Sequence, residues 1–166
     1  MQTSEAMKTI PYGESNFRRM MLENKYYVDR TQYIRTLEAE GAQYLFFVRP
    51  RRFGKSLFVS MLEYYYGIQY KDEFQDIFGG LDIGKNPTQK ANSYLVLKFD
   101  FSGIENSTPG DTERYFVKRV QNGIRACIAQ YKHIFTEADR EAILNAETAA
   151  SCLDEFFASK KKKDET

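Results

Sequence analysis

The stretch at residues 44–56, which reads YLFFVRPRRFGKS, constrains the fold of this chain more than any other part. Its first five residues are apolar or aromatic without a break, which predicts a strand buried on both faces, as in a parallel sheet. A short loop follows, and Gly54-Lys55-Ser56 opens a segment whose apolar residues recur with helical spacing. The order strand, tight loop, helix predicts an α/β fold of the P-loop NTPase type, with a parallel sheet flanked by helices.

Glycine, lysine and serine at the start of a helix form a pattern typical of phosphate binding. The backbone N–H groups and the partial positive charge of a helix N-terminus attract anions. We expect Lys55 to reach the β- and γ-phosphates of a nucleotide and the Ser56 hydroxyl to hold Mg²⁺. The predicted nucleotide-binding residues are Arg51, Arg52, Phe53, Gly54, Lys55, Ser56 and Leu57.

The loop departs from the full pattern G-x-x-x-x-G-K-[ST] because Arg49 stands where the first glycine belongs. Glycine tolerates a positive φ and a close approach of the backbone, and arginine does so less easily. Pro50 favours an extended conformation at Arg49. We therefore expect a degenerate Walker A loop that enters differently and keeps its second half. The alternative is a basic loop that merely contains Gly-Lys-Ser.

The sequence RPRRFGKS at residues 49–56 resembles the distinctive loop of the bacterial AAA-ATPase-like family. The resemblance continues upstream in IPYG at residues 10–13, in Phe17, and in YVDRT at residues 27–31. Arg30 stands where that family usually has lysine. The resemblance implies ATP and Mg²⁺ as ligands.

Downstream, residues 94–103 resemble the next core strand of the same family, so the resemblance spans about residues 9–104. Family members are usually longer, with a Walker B strand reading like LIDEYD and often a nuclease-like domain of the PD-(D/E)XK type. We therefore expect an N-terminal part of a larger protein with an incomplete sheet. The expected partners are a missing C-terminal domain or a second copy of the chain, and nucleic acid only through a downstream nuclease-like domain.

Asp100 is a second candidate catalytic residue beside Lys55, because it ends an apolar run and a phosphoryl-transfer site needs a metal-binding acid. Lys98 interrupts that run, and no second acid follows Asp100. A structural turn is the alternative role. Little or no ATP hydrolysis is expected from this part alone.

The composition is that of a soluble globular chain: 166 residues, 28% of them charged, with a formal net charge of +1. Such a balance gives no general attraction to nucleic acid or to a membrane. No signal peptide and no apolar run of about 20 residues is visible, so we expect a cytoplasmic protein. Cys127 and Cys152 are expected to be buried free thiols.

The chain is predicted to divide into a flexible N-terminus (1–8), a P-loop α/β core (9–104), a helical segment (105–159) and a charged tail (160–166). Strands are expected at residues 43–48 and 94–101. Thr108 and Pro109 predict the start of a long helix, as cap and first helical residue. The apolar spacing predicts a helix over residues 55–66.

Two other functions are compatible with the sequence. In the first, the loop is a relic of a phosphate-binding loop. The chain is then a non-enzymatic scaffold or oligomerisation module, and its many aromatic residues contact a partner. A small-molecule kinase is the other, although no clear lid is visible. Asp29 is interpreted either as a nucleotide contact or as a capping residue. The tyrosines at residues 64–66 are interpreted as packing in preference to base stacking.

Overall fold

The computed structural model describes residues 7–102 and 111–164, and its regular elements are helical. They are α1 (Phe17–Leu22), α2 (Tyr33–Glu40), α3 (Lys55–Tyr66), a 3-10 helix (Ile68–Glu73), α4 (Phe74–Phe78), α5 (Asp82–Lys85), α6 (Asp111–Gln130), α7 (Glu137–Asn145) and α8 (Ala149–Asp164). The chain divides into two compact units, Met1–Leu95 and Val96–Thr166. The helix start predicted at Thr108 and Pro109, and residues 1–6 of the predicted N-terminus, lie outside the described residues.

The predicted parallel sheet is wrong. Across the described residues, β-type pairing is confined to two isolated bridges, one between Thr9 and Lys25 and one between Gly67 and Tyr94. Residues 43–48 and 94–101 belong to no ladder. The α/β fold class is therefore replaced by a helical one.

The first predicted strand fails because it has no backbone partner in the described part of the chain. An apolar run indicates a preference to leave water, whereas a strand also needs a neighbour that accepts and donates its hydrogen bonds. Tyr44 is 85% exposed and Phe46 is 95% exposed. Phe47 is the member that packs, with its ring stacked on Phe58 at 4.8 Å between centroids.

The second predicted strand fails because its two ends serve different units. Tyr94 belongs to the first unit, where it accepts the N–H of Ile68 at 2.9 Å and donates to the carbonyl of Tyr66 at 2.9 Å. Val96 belongs to the second unit and donates its N–H to the hydroxyl of Tyr131 at 2.9 Å. These hydrogen bonds hold the predicted strand at separate points and form no continuous β-ladder.

Helix α3 contributes the centre of the first unit's core. Tyr65 and Phe78 meet edge to face with ring centroids 5.5 Å apart, and Phe17 stacks on Phe78 at 5.3 Å. Aromatic pairs of this geometry stabilise a core beyond the area that they bury. Tyr64 and Tyr65 are core residues, as the packing interpretation predicts. The buried cluster comprises Phe17, Ile34, Met61, Tyr64, Tyr65, Ile77, Phe78 and Ile83.

Asp29 does not cap α2, which begins at Tyr33 without a side-chain cap bond, and instead fastens the start of α5. Its carboxylate accepts the N–H of Thr31 at 2.9 Å and the N–H of Asp82 at 2.7 Å. The Thr31 hydroxyl donates to the same carboxylate and accepts the buried N–H of Ile83 at 3.1 Å. Burial alone opposes the charge on Asp29, but these hydrogen bonds outweigh it and lower the pKa below its ordinary value of 3.8.

Asp29→Asn is expected to destabilise the protein by about 1 kcal/mol at pH 7, because the neutral amide accepts weaker hydrogen bonds. The folded-state pKa of Asp29 is lowered, so its stabilisation is complete above the unfolded-state pKa and is lost as the pH falls through the folded-state pKa. Urea denaturation from pH 7 down to pH 3 should therefore show a shallower loss of stability in the variant. Parallel pH profiles for the two proteins would contradict this role.

The second unit packs α6, α7 and α8 around a separate core. Phe135 and Phe156 lie 5.4 Å apart between ring centroids. Cys127 and Cys152 are free and buried, which confirms the prediction for both thiols. Among the described residues, no helix is both long enough and apolar enough to cross a membrane. The buried residues of this unit include Val120, Ile124, Cys127, Ile128, Tyr131, Phe135, Ile143, Cys152 and Phe156.

Gly123 lies inside α6, where the segment at residues 98–99 approaches the helix closely. A Cβ placed at this position would meet the Phe99 ring at 2.5 Å and the carbonyl oxygen of Lys98 at 2.7 Å. Glycine normally weakens a helix interior. Here its lack of a side chain allows the close approach of another backbone segment.

Gly123→Ala is therefore expected to destabilise the protein by about 1–3 kcal/mol, despite the better helix propensity of alanine. Asn122→Ala, at the exposed neighbouring position, is the matched control and should be neutral or slightly stabilising. Equilibrium denaturation in urea measures both changes. A stabilising effect of Gly123→Ala would show that the close approach does not exist in solution.

Candidate functional site

Helix α3 begins at Lys55, directly after a loop with two left-handed residues. Gly54 has φ 75° and Arg52 has φ 65°. No side chain caps the helix, and the hydrogen bond from the N–H of Phe58 to the carbonyl of Gly54, at 2.9 Å, closes its first turn. The N–H groups of the first turn, at residues 55–57, have no acceptor within the helix. They are therefore available to an anion.

The backbone at Arg49 does not adopt a positive φ, so this position does not need a glycine. The left-handed conformations fall instead at Arg52 and Gly54. The guanidinium carbon of Arg49 lies 5.0 Å from the centroid of the Phe47 ring, in the geometry of a cation–π contact. Because Phe47 stacks on Phe58, this contact anchors the entry of the loop on the side of α3.

The side chain of Lys55 folds back over the loop. Its ammonium donates to the carbonyl oxygen of Arg49 at 2.6 Å and to that of Pro50 at 2.9 Å. An ammonium carries three N–H groups, so one remains for another acceptor. Lys55 thus closes the loop while presenting positive charge beside the free N–H groups of the helix.

A cavity of about 580 Å³ with charged side chains in its lining, the polar cavity, lies at this end of α3. Arg52, Lys55 and Ser56 line it on the loop side, and residues 11–15 line it on the other side. On the loop side, two cationic side chains, the Ser56 hydroxyl and a helix N-terminus favour a negatively charged ligand.

Glu14 also lines the polar cavity, but its carboxylate is already engaged. One oxygen accepts the N–H groups of Ser15 and Asn16 at 3.1 and 3.0 Å, and the other accepts from the ammonium of Lys25 at 2.9 Å. The bond from Asn16, followed by that from Lys25, lowers the pKa of Glu14 below its usual value. Glu14 therefore fastens the segment that precedes α1, and its charge is balanced by Lys25.

An aromatic cavity of about 630 Å³ adjoins the polar one. The two share Pro11, Met20, Gly54 and Leu57 in their linings. Both volumes fall within the range of about 300–1,000 Å³ that is usual for small-molecule sites. Six rings contribute to the lining of the aromatic cavity, namely those of Tyr26, Tyr27, Tyr33, Phe47, Phe53 and Phe58.

The structure gathers most of the residues predicted for the site around these two cavities. Phe53 lines the aromatic cavity, and Gly54 and Leu57 line both. Arg51 is exposed and lines neither. Whether these residues bind a nucleotide stays a prediction that the geometry alone does not test.

Asp100 belongs to the second unit. It is exposed, and its carboxylate accepts the N–H of Ser102 at 2.8 Å, as in a turn. That bond is the first cause of a pKa below the usual value of an aspartate, and the positive charges of Arg119 and Lys98 add to it. Its catalytic role stays a prediction.

Two features of the site were not predicted from the sequence. The bonds from Lys55 to the loop carbonyls depend on how the loop folds. Tyr26 and Tyr33 line the aromatic cavity together with loop residues, although they stand more than 15 residues upstream of the loop in the sequence. The signal available in the sequence is the pair Tyr26-Tyr27 at the start of the YVDRT segment, and it does not by itself indicate a cavity.

Unpaired helix N–H groups beside a lysine and a serine are features of loops that bind phosphate. A family model described as AAA-ATPase-like, a predicted AAA-ATPase, matches residues 11–165, and the chain belongs to this family. The match includes the helical second unit and so extends well beyond residue 104. Comparisons with curated proteins and with solved structures found no match.

Gly54→Ala is expected to destabilise the protein by about 1–2 kcal/mol, because alanine resists the left-handed conformation at φ 75°. A Cβ at this position would meet no atom within 4 Å, so the cost is conformational. Gly80→Ala is the matched control, since its Cβ would also meet nothing within 4 Å and its φ lies outside the left-handed region. Urea denaturation should separate the two variants, and equal effects would contradict the assigned loop conformation.

Proposed function

We propose that this chain binds ATP together with Mg²⁺ at the start of α3. The observation that carries the proposal is the convergence of Lys55, Ser56 and the unpaired first-turn N–H groups on one cavity. The membership of a family described as predicted AAA-ATPases supports ATP as the nucleotide.

Each residue of the site has a defined role in this proposal. The N–H groups at residues 55–57 and the remaining N–H of Lys55 hold phosphate oxygens. Arg52 adds a second positive charge from the wall of the polar cavity. Arg51, exposed beside it, contributes to the positive potential of the loop.

Ser56 is the residue that fits Mg²⁺. Ser56 lines the polar cavity and carries a hydroxyl oxygen, and Mg²⁺ prefers oxygen ligands, which it takes largely from water and from the phosphates of its nucleotide. The ion supplies charge neutralisation at the phosphate oxygens.

We expect ATP to be bound with little or no hydrolysis, because of how the carboxylate in the lining of the polar cavity is already hydrogen-bonded. Phosphoryl transfer to water needs a group that orients the attacking water. Among the described residues that line the polar cavity, Glu14 carries the one carboxylate, and that carboxylate is bonded to Lys25 and to two backbone N–H groups. A residue outside the cavity lining would have to supply this group for turnover.

A scaffold or oligomerisation role is the second candidate, and the exposed apolar run at residues 44–48 favours it. An extended segment with exposed aromatic rings is a surface that another chain can pair with. This function predicts association that rises with protein concentration and no thermal stabilisation by any Mg-nucleotide.

Lys55→Ala is expected to abolish the rise in Tm that Mg-ATP produces in the unchanged protein. A ligand that binds the folded state alone stabilises it by mass action, by about 2.7 kcal/mol at a concentration 100 times Kd. Lys71→Ala, which removes an exposed lysine of the 3-10 helix, is the matched control and should respond to Mg-ATP as the unchanged protein does.

Circular dichroism of the Lys55→Ala protein checks that it is folded, because the variant also loses the two bonds to the loop carbonyls. Unchanged ATP affinity in the folded variant would rule out this site. Stabilisation by ATP with Mg²⁺ but not with EDTA would support the part of Mg²⁺ in binding.

A further inference from the structure

Three rings in the aromatic cavity are unusually exposed and have no aromatic partner among the described residues. Tyr26, Tyr33 and Phe53 are 58%, 49% and 64% exposed. None of them stacks on another ring in the described part of the chain. Large rings that remain in contact with water inside a concave surface are available to a ligand.

The other three rings of the cavity each pack on another aromatic ring. Tyr27 packs edge to face on Phe17 at 5.2 Å, and its hydroxyl lies 3.7 Å from the sulfur of Met61. Phe47 and Phe58 stack on each other. The cavity thus combines a supported aromatic floor with three rings that have a free face.

Two cationic side chains also line this cavity, Arg30 and Arg49. Guanidinium groups donate hydrogen bonds and accept none. Aromatic surface beside donors suits a flat ligand that carries ring nitrogens and hydroxyl oxygens as acceptors. It is poorly suited to a cationic ligand, which the arginines repel, or to an aliphatic chain, which offers them no acceptor.

The aromatic cavity and the polar cavity adjoin at the start of α3, where Gly54 and Leu57 line both. A ligand that extends from one into the other has a polyanionic end at the loop and an aromatic end among the rings. We propose that the aromatic cavity binds the base and ribose of the nucleotide, with Tyr33 and Phe53 in contact with the base. This inference rests on the proposed function, since the phosphates must occupy the polar cavity.

Isothermal titration calorimetry with Mg-ATP and Mg-tripolyphosphate tests the inference, because the second ligand has the phosphate chain without the base. The unchanged protein should bind Mg-ATP about 10-fold more tightly than Mg-tripolyphosphate, as expected for stacking of one base on aromatic side chains. Tyr33→Ala and Phe53→Ala should each lose most of that preference, by weaker binding of Mg-ATP at unchanged affinity for Mg-tripolyphosphate.

Two further variants control the measurement. Tyr33→Phe keeps the ring on α2, which is not part of the loop, and should retain the preference for Mg-ATP. Phe46→Ala removes an exposed ring that lines neither cavity and should bind both ligands as the unchanged protein does.

The outcomes separate this inference from the proposed function. If the two alanine variants bind Mg-ATP as tightly as the unchanged protein, the base lies elsewhere and the inference is overturned, while ATP binding at the loop stands. Equal weakening for both ligands also overturns it, because the rings would then support the loop and not the base. If the unchanged protein binds neither ligand, the proposed function itself fails.

Discussion

A buried hydrogen bond from the N–H of Phe17 to the hydroxyl of Ser60, at 3.0 Å, joins the start of α1 to the middle of α3. Both residues are buried, and the Phe17 ring lies in the aromatic cluster with Phe78. A serine in a helix interior is a weak choice for helix formation, so its value here lies in accepting an otherwise unpaired buried N–H. Residues 11–15, which line the polar cavity, precede α1 by one residue, so this bond helps to position that lining relative to α3.

The YVDRT motif at residues 27–31 both anchors the fold and contributes to the lining of the aromatic cavity. Thr31, which is fully buried, and Asp29 are bonded to the start of α5. The cavity-lining rings of Tyr26 and Tyr33 lie on either side of the motif in the sequence. The motif therefore stabilises the fold through Asp29 and Thr31. Its other three residues line the cavity itself.

The sequence predicted the features that depend on neighbouring residues and missed those that depend on distant ones. The helix over residues 55–66 and its buried Met61 and Tyr65 follow from local spacing and are observed. The strand at residues 43–48 needed a partner that apolar character cannot specify, and the described residues supply none. The aromatic cavity combines residues of α2, α3 and the loop, and such a convergence has no signature in a single segment.

The bonds between Lys55 and the carbonyls of Arg49 and Pro50 have an entropic consequence for any anion that enters the polar cavity. A free lysine side chain loses about 1.5–2 kcal/mol of rotamer entropy when it is immobilised. In this chain the immobilisation occurs during folding, so the ammonium is preorganised before a ligand arrives. The free energy of the charge–charge contact then contributes to affinity with a smaller ordering cost.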